Sequence, residues 1–216
     1  MAKWCHEFKI PLAAGLLMVE KLPEAGSRQA LREQLEKMNR QIRSMLLGCR
    51  LQSSLVDFQI KRTDLEECVR ASIRNNQFFL IQEGFELDVR VEERCVYTDP
   101  QWLVYVLDQL IDNAMKYAGE KPQKKLRLWT EGGGEEVRLL VEDCGEGIMQ
   151  SEIRRIYEKG FTGGSHHNGR YRSTGMGLYT AEKILRRLGH EITAESEYGV
   201  YTRFRITFRS NDFFSL

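Results

Sequence analysis

A histidine and a glutamate stand next to each other near the N-terminus, in the string WCHEFKIP at residues 4–11. A neutral, accessible imidazole can accept a phosphoryl group, and a neighbouring carboxylate can take up the ring proton as the new bond forms. His6 and Glu7 are therefore a candidate acceptor and base. The same pair would also suit an ordinary helix surface, so these two residues alone leave both interpretations open.

A second candidate segment is DQLIDNAMKYA, residues 108–118. The carboxamide oxygen of Asn113 can complete a Mg²⁺ shell that already holds phosphate oxygens and water. Lys116, one helical turn further on, offers a point charge for phosphate. The alternative is a purely structural amphipathic helix, because apolar residues in and beside this stretch fit a buried face. These residues are Leu107, Leu110, Ile111 and Ala114.

The string VEDCGEGI, residues 141–148, places a carboxylate at the predicted end of a strand. Asp143 could accept a hydrogen bond from the 6-amino group of adenine and would repel the carbonyl group of guanine. Gly145 and Gly147 would allow the backbone to approach the base closely. Aspartate and glycine are also common turn residues, so this string is a weak signal by itself.

The string STGMGLY, residues 173–179, begins a predicted helix and follows a polar, glycine-rich stretch at residues 162–174. Backbone N–H groups at a helix N-terminus bind anions, and here Gly175 and Gly177 would leave them accessible to a triphosphate. The preceding stretch is predicted to be a lid that orders over nucleotide.

Two amphipathic helices are predicted over residues 1–52, with a break at KLPEAGS, residues 21–27. In the second helix, apolar residues recur with the spacing of a heptad seam. The seam consists of Leu31, Leu35, Met38, Ile42 and Met45. Two helices have a single interface, so we expect a homodimer that forms a four-helix bundle. The alternative is a hairpin that rests on the rest of its own chain.

Residues 53–216 alternate strand and helix patterns, which predicts a two-layer α/β sandwich and, with the hairpin, an α+β protein. The predicted strands are Asp57–Lys61, Glu86–Val91, Lys125–Thr130, Glu136–Glu142, Glu191–Ser196 and Arg203–Phe208. The predicted helices are Leu65–Leu80, Pro100–Tyr117, Ser151–Tyr157 and Gly177–Leu188. EGGGEE, residues 131–136, is predicted to be a hairpin turn between two of the strands.

Composition argues against several functional classes. A net charge of +1 gives no electrostatic reason to expect nucleic acid as a partner. The five cysteines are scattered without a CxxC pair, which indicates reduced thiols rather than a disulfide framework or a zinc site. The longest apolar stretch, Ile10 to Val19, is about half of the roughly 20 residues that a membrane-spanning helix needs.

Taken in order, the motifs resemble those of sensor histidine kinases over nearly the whole chain. WCHEFKIP is similar to the phosphoacceptor box, DQLIDNAMKYA to the N box and DCGEGI to the first glycine box. EKGFTGG is similar to the phenylalanine box, which contains Phe161, and TGMGLY to the second glycine box. The resemblance implies a dimerisation and phosphotransfer hairpin at 1–52 and an ATP-binding domain, of the kind shared with gyrase, Hsp90 and MutL, at 53–216.

The resemblance also implies roles for individual residues. His6 would be the phosphoacceptor and Glu7 its base, while Asn113 would hold Mg²⁺. The nucleotide would be bound by Lys116, Tyr117, Asp143, Gly145, Gly147, Phe161, Gly175 and Gly177. The implied ligands are ATP and Mg²⁺, and the implied partners are a second copy of the chain and the receiver domain of a response regulator.

Within this family the chain most resembles the intramembrane-sensing kinases that respond to peptide antibiotics. That resemblance implies the cytoplasmic domain of a membrane protein and an ABC transporter as a further partner. One position departs from the family pattern, because Ile10 stands where Thr or Asn usually positions the water that dephosphorylates the regulator. We therefore expect weak phosphatase activity.

Two other functions compete with this hypothesis. A hydrolytic ATPase of the gyrase–MutL kind carries a glutamate base four residues before the asparagine, whereas this chain has Gln109, whose amide cannot take up a proton. A scaffold protein that binds nucleotide without transferring phosphate is the second competitor. The presence of His6, Glu7, Asn113 and Asp143 argues against it.

Overall fold

The computed structural model describes residues 2–52, 58–92, 94–133, 136–163 and 174–209, and in the first of these ranges it describes side chains for residues 10–42. The chain divides into two compact units, Met1–Asp57 and Phe58–Leu216. Among the described residues, no helix combines the length and the apolar character required to cross a bilayer.

The first unit contains two helices, α1 (Ala2–Val19) and α2 (Ala25–Gln52). The side chains of Leu12 and Val19 are buried, and a Cβ at Gly15 would lie 3.4 Å from a methyl group of Leu35. Nearer the connection, Arg32 forms an ion pair with Glu20 at 2.7 Å. The earlier residue of the first segment, Gly15, thus lies next to the later residue of α2, Leu35, and the later Glu20 pairs with the earlier Arg32. The two helices therefore run antiparallel.

The second unit is built on a five-stranded sheet in the order β2-β4-β5-β7-β6. Its strands are β2 (Phe85–Arg90), β4 (Lys124–Gly133), β5 (Glu136–Asp143), β6 (Glu191–Glu197) and β7 (Tyr201–Arg209). β2 pairs with β4 in parallel, and every other neighbouring pair in this sheet is antiparallel. A separate two-stranded sheet pairs β1 (Lys61–Asp64) with β3 (Cys95–Thr98).

Three helices accompany this sheet: α3 (Leu65–Gln82), α4 (Pro100–Lys116) and α5 (Gly177–Arg187). Asp64 caps α3 by accepting a hydrogen bond from the backbone N–H of Glu66 at 2.9 Å. Asp99 caps α4 in the same way, and Pro100 follows it at the first helical position. An N–H at that position has no partner within the helix, so proline loses no helical hydrogen bond there. Local sequence signals therefore determine where these two helices begin.

The core lies between the sheet and α4. Most apolar residues of α4 are buried. Leu103, Val106, Leu107, Leu110 and Ile111 are each at most 1% exposed. The sheet contributes Leu126, Leu128, Leu139, Val141, Phe204 and Ile206, which are also buried. The opposite sheet face carries charged side chains such as Arg127 and Arg203. The predicted two-layer α/β sandwich is confirmed.

Two predicted elements are wrong. The first strand spans Lys61–Asp64 instead of Asp57–Lys61, because it is the later segment that pairs with Cys95–Thr98. The predicted helix Ser151–Tyr157 is a series of turns, in which the N–H of Arg155 bonds to the carbonyl oxygen of Glu152 at 2.7 Å. Such a short segment does not recover the cost of nucleating an α-helix.

Candidate functional site

One face of α4 connects two glycine-containing loops of the second unit. Gln109, Asn113 and Tyr117 follow one another at intervals of four residues, which places them on the same side of the helix. At one end, a Cβ at Gly177 would lie 2.8 Å from Oε1 of Gln109. At the other end, the carbonyl oxygen of Tyr117 accepts a hydrogen bond from the N–H of Glu146 at 2.8 Å. Asn113 therefore lies between two loops that come from distant parts of the sequence.

Asn113 has an unsatisfied polar group in this position. Its Nδ2 is buried and has no hydrogen-bond partner among the described residues. A buried amide normally finds partners, so this group fits a site that a ligand completes. The described residues contain no cluster of three or more His, Cys, Asp or Glu that could hold a metal by itself. Mg²⁺ bound to phosphates needs only one or two protein ligands, so the arrangement suits a metal that arrives with its nucleotide.

Asp143 ends β5 and is only 7% exposed. Its Oδ1 accepts a hydrogen bond from the backbone N–H of Gly145 at 2.9 Å. Burial raises the pKa of this carboxyl group to about 7, although the hydrogen bond and the positive charge of Lys121 act in the opposite direction. Asp143 is thus a desolvated carboxyl group that can change its protonation state near neutral pH.

The glycines that follow Asp143 permit very close backbone contacts. A Cβ at Gly145 would lie 2.4 Å from the carbonyl oxygen of Tyr117. Gly147 has a φ of +69°, and a Cβ there would lie 2.3 Å from the carbonyl oxygen of Glu197. Side chains at these positions would push the loop away from α4 and from the turn between β6 and β7. Both glycines therefore allow close contacts with neighbouring backbone. Their predicted contact with a bound base stays a prediction.

The second glycine loop leads into α5. Gly175 has a φ of +63°, and a Cβ there would lie 2.6 Å from the carbonyl oxygen of Phe161. The N–H of Gly160 donates a hydrogen bond to the carbonyl oxygen of Gly175 at 3.1 Å. At the start of α5, the residue preceding Gly177 makes no side-chain cap hydrogen bond. The first N–H groups of this helix are therefore suited to bind an anion.

A family model describing histidine kinase-, DNA gyrase B- and HSP90-like ATPases matches residues 98–212, more than half of the chain. The chain belongs to this ATPase family. The matched region contains Asn113, Asp143 and both glycine loops, so the geometry described above lies within the family's shared domain.

Relatives extend the similarity beyond that domain. Sensor protein BceS of Bacillus subtilis is 33% identical over 95% of this chain and 60% of its own length. Sensor protein kinase GraS of Staphylococcus aureus is 28% identical over 96% of this chain and 59% of its own length. The chain therefore spans about 60% of the length of these relatives. The predicted resemblance to sensor histidine kinases is confirmed by these matches.

Solved structures support the fold. Full-length ShkA in complex with AMPPNP superposes with a TM-score of 0.66 at 21% identity, covering 97% of this chain and 46% of that one. The histidine kinase ThkA in complex with the response regulator protein TrrA gives a TM-score of 0.64 at 18% identity, covering 97% of this chain and 60% of that one. At these identities the likeness concerns the fold alone.

Three other residues predicted to bind nucleotide lie near the two loops. Lys116 is the last residue of α4 and Tyr117 is its C-cap, and Nζ of Lys116 lies 5.0 Å from the centre of the Tyr117 ring. Phe161 is half-buried, and the guanidinium group of Arg155 lies 4.7 Å from the centre of its ring. The positions of these side chains are compatible with the predicted contacts, which stay predictions.

The predicted phosphoacceptor pair belongs to the other unit. His6 and Glu7 lie within α1, but their side chains are outside the described residues. Their roles therefore stay predictions.

Sequence reasoning missed Lys121 and the turn at residues 198–200, which contact the loop after Asp143. The local sequence carries no signal for this contact. It arises because β5 pairs with β7, which places Asp143 opposite Thr202 and brings the neighbouring turn to the end of β5.

Proposed function

We propose that this chain is the kinase part of a sensor histidine kinase, which binds ATP with Mg²⁺ in its second unit and phosphorylates its own His6. The observation that carries this proposal is the face of α4 on which Gln109, Asn113 and Tyr117 connect both glycine loops. The similarity to a named sensor protein over 95% of the chain supports extending the proposal to the N-terminal helices.

In this proposal each part of the site contacts one part of the nucleotide. Asp143 accepts a hydrogen bond from the adenine amino group, and the close backbone at Gly145 and Gly147 forms the wall beside the base. The phosphates lie toward the N-terminus of α5, where Gly175 and Gly177 expose backbone N–H groups. Lys116 and Tyr117 contact phosphate and nucleotide, while Phe161 lies in the loop that meets Gly175.

Asn113 would hold Mg²⁺ through its carboxamide oxygen, and the metal would neutralise phosphate charge as the bond to the γ-phosphorus breaks. The buried, unpartnered Nδ2 of this side chain supports contact with the nucleotide, because a phosphate oxygen could accept its hydrogen bond. The metal-binding role of the carboxamide oxygen follows from the family resemblance.

The proposed reaction is a phosphoryl transfer. A ring nitrogen of His6 forms a bond to the γ-phosphorus of ATP, and the bond from that phosphorus to the β–γ bridging oxygen breaks. ADP leaves with the electron pair, and Glu7 takes up the ring proton of the histidine. Phosphoryl transfer depends mainly on positioning and charge neutralisation, so the two units must bring His6 to the nucleotide.

We also propose that residues 1–52 form the dimerisation and phosphotransfer domain and that residues 53–216 form the ATP-binding domain. Apolar side chains exposed on the first unit support a second copy as partner: Leu31 is 45% exposed, Met38 is 50% exposed, and they are one heptad apart. In a four-helix bundle these side chains would be buried between the two hairpins.

The phosphoryl group would then pass from His6 to an aspartate in the receiver domain of a response regulator. Ile10 is 63% exposed on α1, four residues after His6, and its side chain cannot hydrogen-bond a hydrolytic water. We therefore propose that the protein phosphorylates its regulator but dephosphorylates it poorly. We place the reaction in the cytoplasm, as part of a membrane-associated sensor. The transporter partner stays a prediction.

A hydrolytic ATPase is the competing function. Such an enzyme needs a general base at the position of Gln109. The amide oxygen of Gln109 lies next to Gly177, where an added Cβ would be 2.8 Å from it. An amide cannot accept a proton at neutral pH, which disfavours activation of water at this position.

The decisive experiment is incubation of the protein with γ-labelled ATP and Mg²⁺, followed by acid and base treatment of the labelled chain. We expect a label that acid removes and base does not, as for phosphohistidine. His6→Gln should abolish the label, whereas His190→Gln, which changes a buried histidine bonded to Thr98 outside the proposed nucleotide site, should keep it.

Retention of the label in His6→Gln would contradict His6 as acceptor. An acid-stable label would point to a hydroxyl group as acceptor. A wild-type protein that binds ATP but acquires no label would favour the nucleotide-binding scaffold.

A further inference from the structure

We propose that Lys121 is a positioning residue of the adenine pocket, which fixes the loop after Asp143 against the turn between β6 and β7 and keeps a positive charge beside the Asp143 carboxylate. The inference rests on the proposed function, because the pocket in question is the proposed site for the ATP base. It assigns a role to a residue outside the five motifs that the sequence indicated.

The ammonium group of Lys121 binds three backbone carbonyl oxygens. Nζ lies 2.8 Å from the oxygen of Gly145, 2.9 Å from that of Gly199 and 3.3 Å from that of Val200. An ammonium group has three N–H donors, so these bonds use all of them. Lys121 thereby joins two segments that are more than fifty residues apart in the sequence.

The two joined segments, the 145–148 loop and the 198–200 turn, are also bonded directly. The N–H of Gly199 donates to the carbonyl oxygen of Glu146 at 2.6 Å. The N–H of Ile148 donates to Oγ of Ser196 at 2.8 Å. Gly147 also lies close to Glu197, so the loop packs against both the turn and the end of β6. Lys121 is the charged side chain that holds this pair together.

The same lysine affects Asp143 through its charge. Burial raises the pKa of Asp143, the N–H of Gly145 and the ammonium group of Lys121 lower it, and the carboxylate of Glu142 raises it. Lys121 therefore counteracts, in two ways, the rise in the pKa of Asp143 that burial causes. Its charge favours the carboxylate directly, and its bond to Gly145 helps to hold the loop whose N–H binds that carboxylate.

A lysine that only stabilised a turn would not change the pH dependence of nucleotide binding, and this difference provides the test. Binding of ADP is measured by calorimetry between pH 6 and pH 8 for the wild-type chain, Lys121→Met and Lys125→Met. Lys125 is a matched control, since it lies close in sequence but its Nζ forms an exposed ion pair with Glu86 at 2.9 Å.

We expect Lys121→Met to bind ADP about tenfold more weakly at pH 7, from the loss of hydrogen bonds made by a charged group. We also expect the midpoint of its pH dependence to rise by about one pH unit, because the positive charge beside Asp143 is gone. Lys125→Met should match the wild type in both respects. This pattern would support the proposal.

An unchanged affinity and midpoint in folded Lys121→Met would overturn the inference while leaving the proposed function intact. Failure of the wild-type chain to bind ADP would instead refute the proposed function, and the inference with it. If Lys121→Met does not fold, Lys121→Gln keeps two N–H donors without the charge. An unchanged pH midpoint in that variant would equally overturn the proposal.

Discussion

On the protein side, a change of pH near neutrality should alter nucleotide affinity through the carboxyl group of Asp143. Its pKa is raised to about 7 mainly by burial, so a substantial fraction of the empty sites is protonated at neutral pH. A carboxylate accepts the hydrogen bond from the adenine amino group better than a carboxylic acid does. Binding of the base should therefore favour the ionised form and release a proton.

The size of this effect follows from the pKa. With a value of about 7, roughly one site in eleven is ionised at pH 6 and roughly ten in eleven at pH 8. If only the ionised form binds adenine, the apparent Kd for ADP falls about tenfold over this range. That factor corresponds to about 1.4 kcal/mol. At pH 7, each bound nucleotide should release about 0.5 proton.

Calorimetry in buffers with different ionisation enthalpies measures both the affinity and the number of protons released. The terminal phosphate of ADP also titrates, with a pKa of about 6 for phosphate monoesters, so the wild-type curve alone is ambiguous. Asp143→Asn resolves this, because its amide oxygen can still accept a hydrogen bond but the side chain does not titrate. The difference between the two proteins isolates Asp143.

We expect Asp143→Asn to bind ADP more weakly and to lose the part of the pH dependence centred near 7. If the wild type and Asp143→Asn show the same dependence on pH and release the same number of protons, the reasoning is wrong. Asp143 would then either be ionised throughout this range or contact the base in its protonated form.

Two further predictions concern other parts of the chain. Ile10→Thr should raise the rate of regulator dephosphorylation roughly tenfold, which corresponds to about 1.4 kcal/mol, in an assay with phosphorylated receiver domain. Leu17→Thr, at another exposed position on α1, is the control. Equal rates in the two variants would contradict the prediction. Burial lowers the pKa of His190 to about 4 from 6.5, so its stabilising contribution is complete above about pH 6.5 and is lost as pH falls toward 4. Between pH 7 and pH 5 the loss should be about 2 kcal/mol, measured by urea unfolding as the difference between wild type and His190→Gln. The pH dependence of stability that comes from Asp143 has the opposite sign, because its raised pKa favours the folded state at low pH. The loss of stability at low pH is therefore assigned to His190 only if it disappears in His190→Gln.

Much of the second unit could be predicted because its local signals and its tertiary structure agree. The helix α4 was predicted to begin at Pro100, where it does begin, and the glycines at 132 and 133 indicated the hairpin between β4 and β5. The strand β3 was missed, because four residues without clear alternation, Cys95–Thr98, carry little information. The segment is a strand because it pairs with β1. Neither segment alone indicates that the two will pair.

The candidate site was predictable where the residue type itself is informative. Asn113, Asp143 and the glycines were predicted because their motifs follow one another in the order typical of one family, whereas aspartate and glycine alone are also common turn residues. Lys121 was not identified, because a lysine in a polar loop between Gly119 and Lys124 looks like any solvated residue. Its importance depends on three carbonyl oxygens that only the folded sheet brings together.

The hydrogen bond from Gly160 to Gly175 has a consequence for how this domain can change over evolutionary time. It fastens the two ends of the intervening segment to each other, so the entropy lost on closing that loop depends only slowly on its length. Each doubling of the length costs about 0.6 kcal/mol. Insertions and deletions between these two glycines should therefore be nearly neutral for folding. We therefore expect the length of this segment to vary more among related domains than the lengths of the sheet strands and α4.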